Sequence, residues 1–269
     1  MSGKLIVCPT PIGNLQDITL RVLAALREAD VIACEDTRHT SKLLNNYGVS
    51  AKLVSYYEQN ERARATELVK RIAAGETVAL VSDAGMPLVS DPGFVLVRAA
   101  VAAGLAVEVL PGPSAALTAL VASGLPSDRW SFVGFLPRKA GELTEVLKAP
   151  ETVIAFESPH RLAASLKVLA ASDPEREVAV CRELTKLHEQ VLRGSAAELA
   201  EHYAEQEPRG EIVLVIGPAT AAAANDLGPA LAAVRTLTAA GARKRVAASV
   251  VAELTGASAN ALYKALTES

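Results

Sequence analysis

The sequence predicts an α/β protein with two α/β domains and a small helical C-terminal appendage. Short runs of β-branched and other apolar residues alternate with longer segments of helical periodicity, which is typical of βαβ units around a mostly parallel sheet. The chain has 269 residues, more than one typical domain. Half of its residues are apolar or aromatic and 21% are charged, so it can bury a core and does not have the composition of a disordered chain.

The first predicted domain, residues 1–125, is a series of strand and helix alternations. Each apolar run ends at a loop rich in turn-forming or acidic residues, and a helical pattern follows. A further helix begins after Pro113 and ends near Gly124. The predicted strands are 5–8, 31–34, 53–55, 78–81 and 107–110, and the helices after the first three are 18–29, 37–47 and 60–74.

The second predicted α/β domain, residues 126–225, begins with an aromatic and basic stretch at 128–141. Ser195 and Glu198 form a capping-box pattern for a helix that ends near residue 205. Strands are predicted at 152–156, 178–182, 189–193 as a hairpin partner, and 211–216, with a helix at 159–171. Residues 226–269 then form the helical appendage, with helical patterns near 227–240, 243–254 and 260–266.

Charge and cysteine content restrict the class of function. The net charge is −3, yet the last 44 residues carry five basic against three acidic side chains. A weakly acidic chain does not coat nucleic acid indiscriminately, so any nucleic-acid contact must be local. The three cysteines contain no CxxC pair and the four histidines have no metal-ligand spacing, so we expect neither a disulfide framework nor a bound metal.

The sequence also lacks the pattern of a membrane protein. The longest apolar stretch, near 94–110, is interrupted by Arg98 and Glu108, and the N-terminus has no apolar signal core. We therefore expect a cytoplasmic protein without a membrane partner.

Four loops at the predicted carboxyl ends of strands are candidates for ligand binding, because ligands of open parallel sheets lie at that edge. The loop at 82–93 is longer than the usual two to six residues of such a connection. The first strand is not followed by G-x-G-x-x-G, and no P-loop motif is present, which removes the usual basis for a nucleotide site. The four loops are 9–14, 82–93, 111–115 and 157–161.

Several of these segments resemble, in order, the ribosomal RNA small subunit methyltransferase I family of the tetrapyrrole-methylase-like superfamily, class III of the S-adenosylmethionine-dependent methyltransferases. The segments are 9–15 with Asp17, 34–38, 82–93, 110–115, 156–161, 181–189 and 209–212. The resemblance implies 2′-O-methylation of a cytidine ribose in the decoding region of small-subunit (16S) ribosomal RNA. It also implies S-adenosylmethionine in a cleft between the two α/β domains, a homodimer, and a helix-turn-helix-like tail.

The same resemblance implies a set of cofactor-binding residues. Asp83, Met86, Ser114 and Ala115 rank first, although Asp83 could instead accept a turn hydrogen bond and Ser114 could be a simple helix cap. S-Adenosylmethionine carries no phosphate, which agrees with the missing P-loop, and Asp83 or Asp91 could accept from its ammonium or hydroxyl groups. The full predicted set is Pro11, Asp83, Gly85, Met86, Pro87, Ser114, Ala115, Phe156, Leu184, Glu211 and Ile212.

Methyl transfer to a ribose hydroxyl requires loss of a proton, so a base or a cation near the developing alkoxide is useful. Lys186, Glu183, Asp36 and Glu157 are the catalytic candidates, with Glu35 and Glu211 as further carboxylates. Several lie beside cations in the sequence, so they could equally be ion pairs that order the cleft. The sequence does not identify the base.

Two basic segments are candidates for binding the RNA of the assembled small subunit. Arg138 and Lys139 end a stretch that contains Trp130, Phe132 and Phe135, and interleaved aromatic and basic residues suit single-stranded RNA. The alternation of Trp130 and Phe132 is equally typical of a half-buried strand, so these two rings could instead pack in the core. The second segment opens a tail helix and consists of Arg243, Lys244 and Arg245, which could equally be a solvated helix face.

Two other functions compete with RNA methylation. One is carbon methylation of a tetrapyrrole within the same superfamily, for which the basic tail and the aromatic segment would be superfluous. The other is a non-enzymatic regulator that senses a small ligand and reads nucleic acid through its tail. The weak charge of the tail and the lack of a recognisable recognition helix argue against the regulator.

Overall fold

The computed structural model describes residues 3–219, 228–255 and 257–267, and its first sheet has five strands. These are β1 (Lys4–Val7), β2 (Val31–Cys34), β3 (Leu53–Ser55), β4 (Thr77–Leu80) and β5 (Ala106–Val109). Their spatial order is β3-β2-β4-β1-β5, and every pairing is parallel. The predicted parallel sheet is confirmed, and its carboxyl ends bring the loops after β1, β4 and β5 to one edge.

A helix follows each of these five strands, and the four helices whose bounds the sequence predicts lie within about two residues of those bounds. The first is shorter than predicted, because a 3-10 turn at Leu15–Asp17 precedes it and the Thr19 hydroxyl caps it by accepting from Val22 N at 3.1 Å. The helices are α1 (Leu20–Glu28), α2 (Thr37–Asn46), α3 (Glu61–Ala73), α4 (Phe94–Ala102) and α5 (Ala115–Ser123).

The second sheet is mixed. Its strands are β6 (Trp130–Phe135), β7 (Thr152–Glu157), β8 (Glu177–Arg182), β9 (Gln190–Ser195) and β10 (Ile212–Ile216), in the order β6-β7-β10-β8-β9. Only β6 and β7 pair in parallel, and β8 and β9 form the predicted hairpin. Ile212 at the start of β10 pairs with both Glu157 and Arg182, so the ends of β7 and β8 meet at one edge.

The helices of this half are α6 (Ala140–Leu147), α7 (Pro159–Ser172) and α8 (Ala196–Glu205). The capping box of α8 is confirmed, since Glu198 N donates to Ser195 Oγ at 3.2 Å and Ser195 N donates to Glu198 Oε2 at 2.8 Å. The sequence pattern did not predict α6, which has only eight residues and a glycine, Gly141, as its second.

Helix α5 connects the two halves of the molecule. It follows the first sheet in the chain, on the N-terminal side of the predicted division at 125/126, yet it packs against the second sheet. Ala116, Ala119 and Leu120 share a buried cluster with Ile154 and Val215. The start of α5 therefore packs against the second sheet, whereas the loop before it begins at the end of β5 in the first sheet.

The tail forms a three-helix unit, as the sequence predicts. Its helices are α9 (Gly228–Ala239), α10 (Lys244–Thr255) and α11 (Ala259–Thr267). Val234, Ala247, Val251 and Leu262 are buried together among them. The predicted boundary at 225/226, the predicted helix start at 227 and Gly256 lie outside the described residues.

Candidate active site

A cavity of about 370 Å³ lies where the loops of the first sheet meet the edge of the second. The loop after β4, the start of α5, the ends of β6 and β7, and the start of β10 contribute to its walls. The lining residues are Ile12, Ala84, Gly85, Met86, Val89, Ser90, Asp91, Ser114, Ala115, Ala116, Phe135, Phe156, Glu157, Ser158, Pro159, Gly210, Glu211, Ile212 and Val213.

The long loop after β4 is held in an unusual backbone conformation. Thr10 and Gly85 exchange two backbone hydrogen bonds of 2.9 and 3.0 Å, and the Thr10 hydroxyl donates to Ser82 O at 3.1 Å. Gly85 has a φ of +77°, and Leu88 and Ser90 are also in the left-handed region at +73° and +65°. Non-glycine residues in this region are uncommon and cluster at functional sites, which supports this loop as part of a ligand site.

Carboxylates gather on the side of the cavity formed by the first sheet. Burial raises the pKa of Asp91 to about 6, and the nearby Glu35 carboxylate adds to the effect. Burial likewise raises the pKa of Glu35, with Asp83 and Asp36 contributing. Of these four carboxylates, Asp91 is the one that lines the cavity.

Asp36 caps helix α2 rather than lining the cavity. Its Oδ1 accepts from Arg38 N at 2.8 Å, and its side chain pairs with that of Arg38 at 3.3 Å. The hydrogen bond from the Arg38 backbone and then that from its guanidinium hold the pKa of Asp36 below the usual value. Asp83 accepts a hydrogen bond from Asp36 N at 3.3 Å, which connects the loop after β4 to the loop after β2.

Glu157 is fully buried at the end of β7 and forms part of the opposite wall. Its Oε1 accepts from Ser158 N at 2.7 Å and lies 3.3 Å from the Arg161 guanidinium, while its Oε2 accepts from the Ser165 hydroxyl at 2.6 Å. Arg161 also donates to the carbonyls of Leu136 and Pro137. Both carboxylate oxygens are therefore occupied by protein donors.

Lys186 lies between two carboxylates beside the cavity. Its Nζ is 2.8 Å from Glu183 Oε1 and 3.0 Å from Glu211 Oε2. Burial works to lower the pKa of Lys186, but the hydrogen bonds with Glu183 and Glu211 outweigh it and hold the pKa above the usual value. The Lys186 hydrogen bond, followed by that from Glu211 N, holds the pKa of Glu183 below its usual value.

Close packing fixes this cluster. A Cβ on Gly210 would lie 2.5 Å from the Glu183 carboxyl carbon, and a Cβ on Gly13 would lie 2.5 Å from Lys186 Cγ. Asn14 N also donates to Thr185 Oγ1 at 3.0 Å. The loop after β1 is thus locked against the loop that carries Lys186.

The structure brings most of the predicted cofactor residues to one cavity. Pro11, Asp83, Pro87 and Leu184 belong to the adjoining loops but do not line it. Among the catalytic candidates, Glu157 is in the wall, Glu183 and Lys186 adjoin it through Glu211, and Asp36 is one loop away. The predicted cofactor residues in the lining are Gly85, Met86, Ser114, Ala115, Phe156, Glu211 and Ile212. Ser114 also caps α5 by accepting from Leu117 N at 3.5 Å.

Phe135 and Gly210 line the cavity, although the sequence pattern placed neither there. The signal for Phe135 is the preceding Gly134, which has a φ of +67° within β6. No residue within the described part of the lining is Lys or Arg.

The predicted RNA-binding cations lie on the surface. Arg138 and Lys139 are exposed in the loop after β6, and Lys139 pairs with Glu142 at 3.0 Å. Arg243, Lys244 and Arg245 are exposed at the start of α10.

Other chemistries find no support among the described residues. They contain no group of three or more His, Cys, Asp or Glu side chains that could hold a metal ion. All three cysteines are buried, and burial raises the pKa of Cys8 to about 12 and that of Cys181 to about 11, which makes these thiols poor nucleophiles. No helix in the described ranges has the length and apolar character needed to cross a membrane.

Comparison with known proteins gives consistent matches. The tetrapyrrole (corrin/porphyrin) methylase family matches residues 4–200. A Mesorhizobium japonicum protein named ribosomal RNA small subunit methyltransferase I is 48% identical, covering 100% of this chain and 92% of its own length. The protein of the same name from Escherichia coli O157:H7 is 45% identical, covering 97% and 94%. Uroporphyrin-III-C-methyltransferase from Thermus thermophilus shares the fold, with a TM-score of 0.58 at 24% identity over 80% of this chain and 94% of that one.

Proposed function

Because the chain belongs to the tetrapyrrole (corrin/porphyrin) methylase family, and to the ribosomal RNA small subunit methyltransferase I group within it, we propose that it methylates small-subunit ribosomal RNA with S-adenosylmethionine. The acceptor in this proposal is the 2′-hydroxyl of a cytidine in the decoding region, and the enzyme acts in the cytoplasm on the assembled subunit. The main support for the proposal is the 48% identity, over nearly the full length, to the Mesorhizobium japonicum ribosomal RNA small subunit methyltransferase I.

The cavity fits the cofactor chemically. Its volume lies in the range of small-molecule sites, and its lining combines the Gly85 backbone, the small Ser114 and Ala115, and apolar side chains such as Ile212. Asp91 supplies one carboxylate, and the described lining has no phosphate-binding cation. This combination suits a cationic ligand with an apolar body and no phosphate.

The residues in and beside the cavity have distinct roles in this proposal. S-Adenosylmethionine, when bound, would supply the methyl group from its sulfonium to the ribose oxygen and would leave as the thioether S-adenosylhomocysteine, while the hydroxyl releases its proton to water. Gly85, Ser114 and Ala115 allow the backbone to approach the ligand, and Asp91 attracts its positive charge. Lys186, held beside Glu211, stabilises negative charge on the reacting ribose oxygen.

The affinity for the cofactor should depend on pH through Asp91. The carboxyl has a pKa of about 6, so it is neutral at pH 5 and ionised at pH 7.5. We expect the affinity for S-adenosylmethionine, measured by calorimetry, to rise between pH 5 and 7 and then to level off. Asp91→Asn should remove this rise and weaken binding at pH 7.5 about tenfold, the scale of a charged hydrogen bond.

The exposed Asp128 provides the matched control for that prediction. Asp128→Asn should keep both the affinity and its pH dependence. If Asp91→Asn retained the rise between pH 5 and 7, Asp91 would not be the group that attracts the ligand.

The cations at the start of α10 should contribute to RNA affinity rather than to chemistry. Replacing Arg243, Lys244 and Arg245 together with Ser should weaken binding to small subunits. It should also flatten the salt dependence, by about 0.7 log units of slope for each phosphate of single-stranded RNA that the variant no longer neutralises. Cofactor affinity should not change. Filter binding at several salt concentrations measures the slope.

Two exposed cations of α3 serve as the control for the tail variant. Arg62→Ser with Lys70→Ser removes surface charge elsewhere and should leave the slope unchanged. An equal loss in both variants would mean that net charge, and not the tail, governs RNA affinity.

We also propose a homodimer, as the resemblance implies. Exposed apolar side chains on α4 and on the edge strand β5 support it, since Phe94, Val101 and Val109 are each more than half exposed. Light scattering on the purified protein tests the proposal, and a monomer at micromolar concentration would contradict it.

The decisive test of the function is transfer of a labelled methyl group to isolated small ribosomal subunits, followed by mapping of the modified nucleotide. We expect one labelled cytidine, with the label on the ribose. Label on a base would contradict the 2′-O assignment, and transfer to a tetrapyrrole instead of the subunit would favour carbon methylation.

A further inference from the structure

A β-bulge turns one aromatic side chain of β6 into the cavity. Phe132 is opposite Ile154 of β7, but Phe135 is opposite Phe156, so three steps along β6 match two along β7. The extra residue lies between them, where Gly134 has a φ of +67°. A bulge of this kind reverses the alternation of side chains beyond it. The side chains of Phe132 and Phe135 therefore both contact Phe156 instead of pointing to opposite faces of the sheet.

The two rings have different environments despite this shared neighbour. Both contact the Phe156 ring edge-on, with centroid distances of 5.1 Å for Phe132 and 5.6 Å for Phe135. Phe132 packs against the buried cluster under α5. Phe135 lines the cavity and yet remains 61% exposed. Its free ring surface thus lies at the solvent side of the cavity, while Ala116 and Ile212 are buried deeper.

The backbone that carries Phe135 is anchored on its C-terminal side. Leu136 N donates to Phe156 O at 3.0 Å. The Arg161 guanidinium donates to Leu136 O at 3.1 Å and to Pro137 O at 2.7 Å, and it is itself paired with the buried Glu157. A ring on a fixed backbone loses little conformational entropy when a ligand stacks on it.

The surroundings of Phe135 favour RNA over another ligand. The exposed cations Arg138 and Lys139 follow it after Leu136 and Pro137, and no acidic residue occurs between Arg129 and Lys139. An aromatic face beside phosphate-binding cations is the usual arrangement for an unstacked nucleotide.

We infer that Phe135 stacks on the base of the nucleotide to be methylated and so positions its ribose at the cavity. Phe135 is a positioning residue in this inference, which rests on the proposed function. The cofactor would occupy the deeper part of the cavity, among the small residues of the first-sheet loops and α5.

The test compares Phe135→Ala, Phe135→Leu and Phe135→Trp with the wild-type enzyme. We expect Phe135→Ala to lower the single-turnover methylation rate at subsaturating small subunits by between fivefold and about 100-fold, the scale of removing one base stack. Phe135→Leu should reduce the rate nearly as much, and Phe135→Trp should stay within about threefold of wild type. The affinity for S-adenosylhomocysteine, measured by calorimetry, should be unchanged in all three.

Leu20→Ala is the matched control, because Leu20 is an exposed apolar residue on α1. It should behave as wild type. A direct readout comes from Phe135→Trp in a Trp130→Phe background, which leaves one indole in the chain. Its fluorescence should be quenched by small subunits and not by S-adenosylhomocysteine alone.

Each other outcome overturns the inference in a distinct way. A loss of S-adenosylhomocysteine affinity that matches the rate loss would assign Phe135 to the cofactor. Full activity of Phe135→Leu would mean apolar packing without stacking. A wild-type enzyme that does not methylate small subunits would overturn the proposed function, whereas an active wild type with an active Phe135→Ala would overturn this inference alone.

Discussion

Lys186→Met is expected to lower the single-turnover rate of methyl transfer by about 100-fold at saturating RNA and cofactor. Removing one preorganised donor to a developing oxyanion has an effect of this order. The ammonium is well placed for such a task, because two carboxylates hold it and the packing of Gly13 and Gly210 fixes the loops around it. Met preserves most of the side-chain volume and removes the charge. Rapid-quench measurement with small subunits gives the rate.

Two further measurements separate catalysis from binding for this variant. Affinities for the cofactor and for the small subunit should stay within a few fold of wild type. Lys167→Met, on the exposed surface of α7, is the control and should have no effect on the rate. If Lys186→Met weakened RNA binding and left the saturated rate unchanged, Lys186 would belong with the phosphate-binding cations.

Much of the fold could be predicted because its signals are local. The three central strands of the first sheet, β2, β4 and β1, are largely buried apolar runs that end in turn-forming or acidic loops. Such runs specify βαβ units without knowledge of distant contacts. The Ser195 capping box was equally readable, since its two partners are three residues apart. The parallel arrangement then placed the loops after β1, β4 and β5 at one edge.

The parts that could not be predicted depend on contacts between distant segments. Helix α5 follows the first sheet in sequence but packs on the second sheet, because Ala116 and Leu120 pack in one buried cluster with Ile154. The pairing of Lys186 with Glu211 joins residues 25 positions apart, whereas Glu183 is a visible neighbour. The direction of the Phe135 side chain depends on the bulge at Gly134, and the alternation of apolar and polar residues in the sequence does not reveal that bulge.

Glu157→Ala is expected to destabilise the fold by about 3 kcal/mol. The side chain is fully buried, and its removal leaves the Ser165 hydroxyl and Ser158 N without their acceptor and takes the carboxylate away from Arg161. Losing one partner of a buried pair has a cost of this size. The loss falls at the lower end of the range because Arg161 is 29% exposed and keeps two carbonyl partners. Urea unfolding followed by circular dichroism measures the difference.

The conservative variant Glu157→Gln decides whether the carboxylate also acts as a base. Gln keeps the shape and an acceptor oxygen for Ser158 N, so we expect a smaller loss of stability and a methylation rate within a few fold of wild type. Glu175→Ala, on an exposed turn before β8, controls for removal of a glutamate and should change neither quantity. A stable, folded Glu157→Gln with a rate reduced 100-fold or more would instead make Glu157 the general base. The hydrogen bonds that occupy its oxygens would then have to open during the reaction.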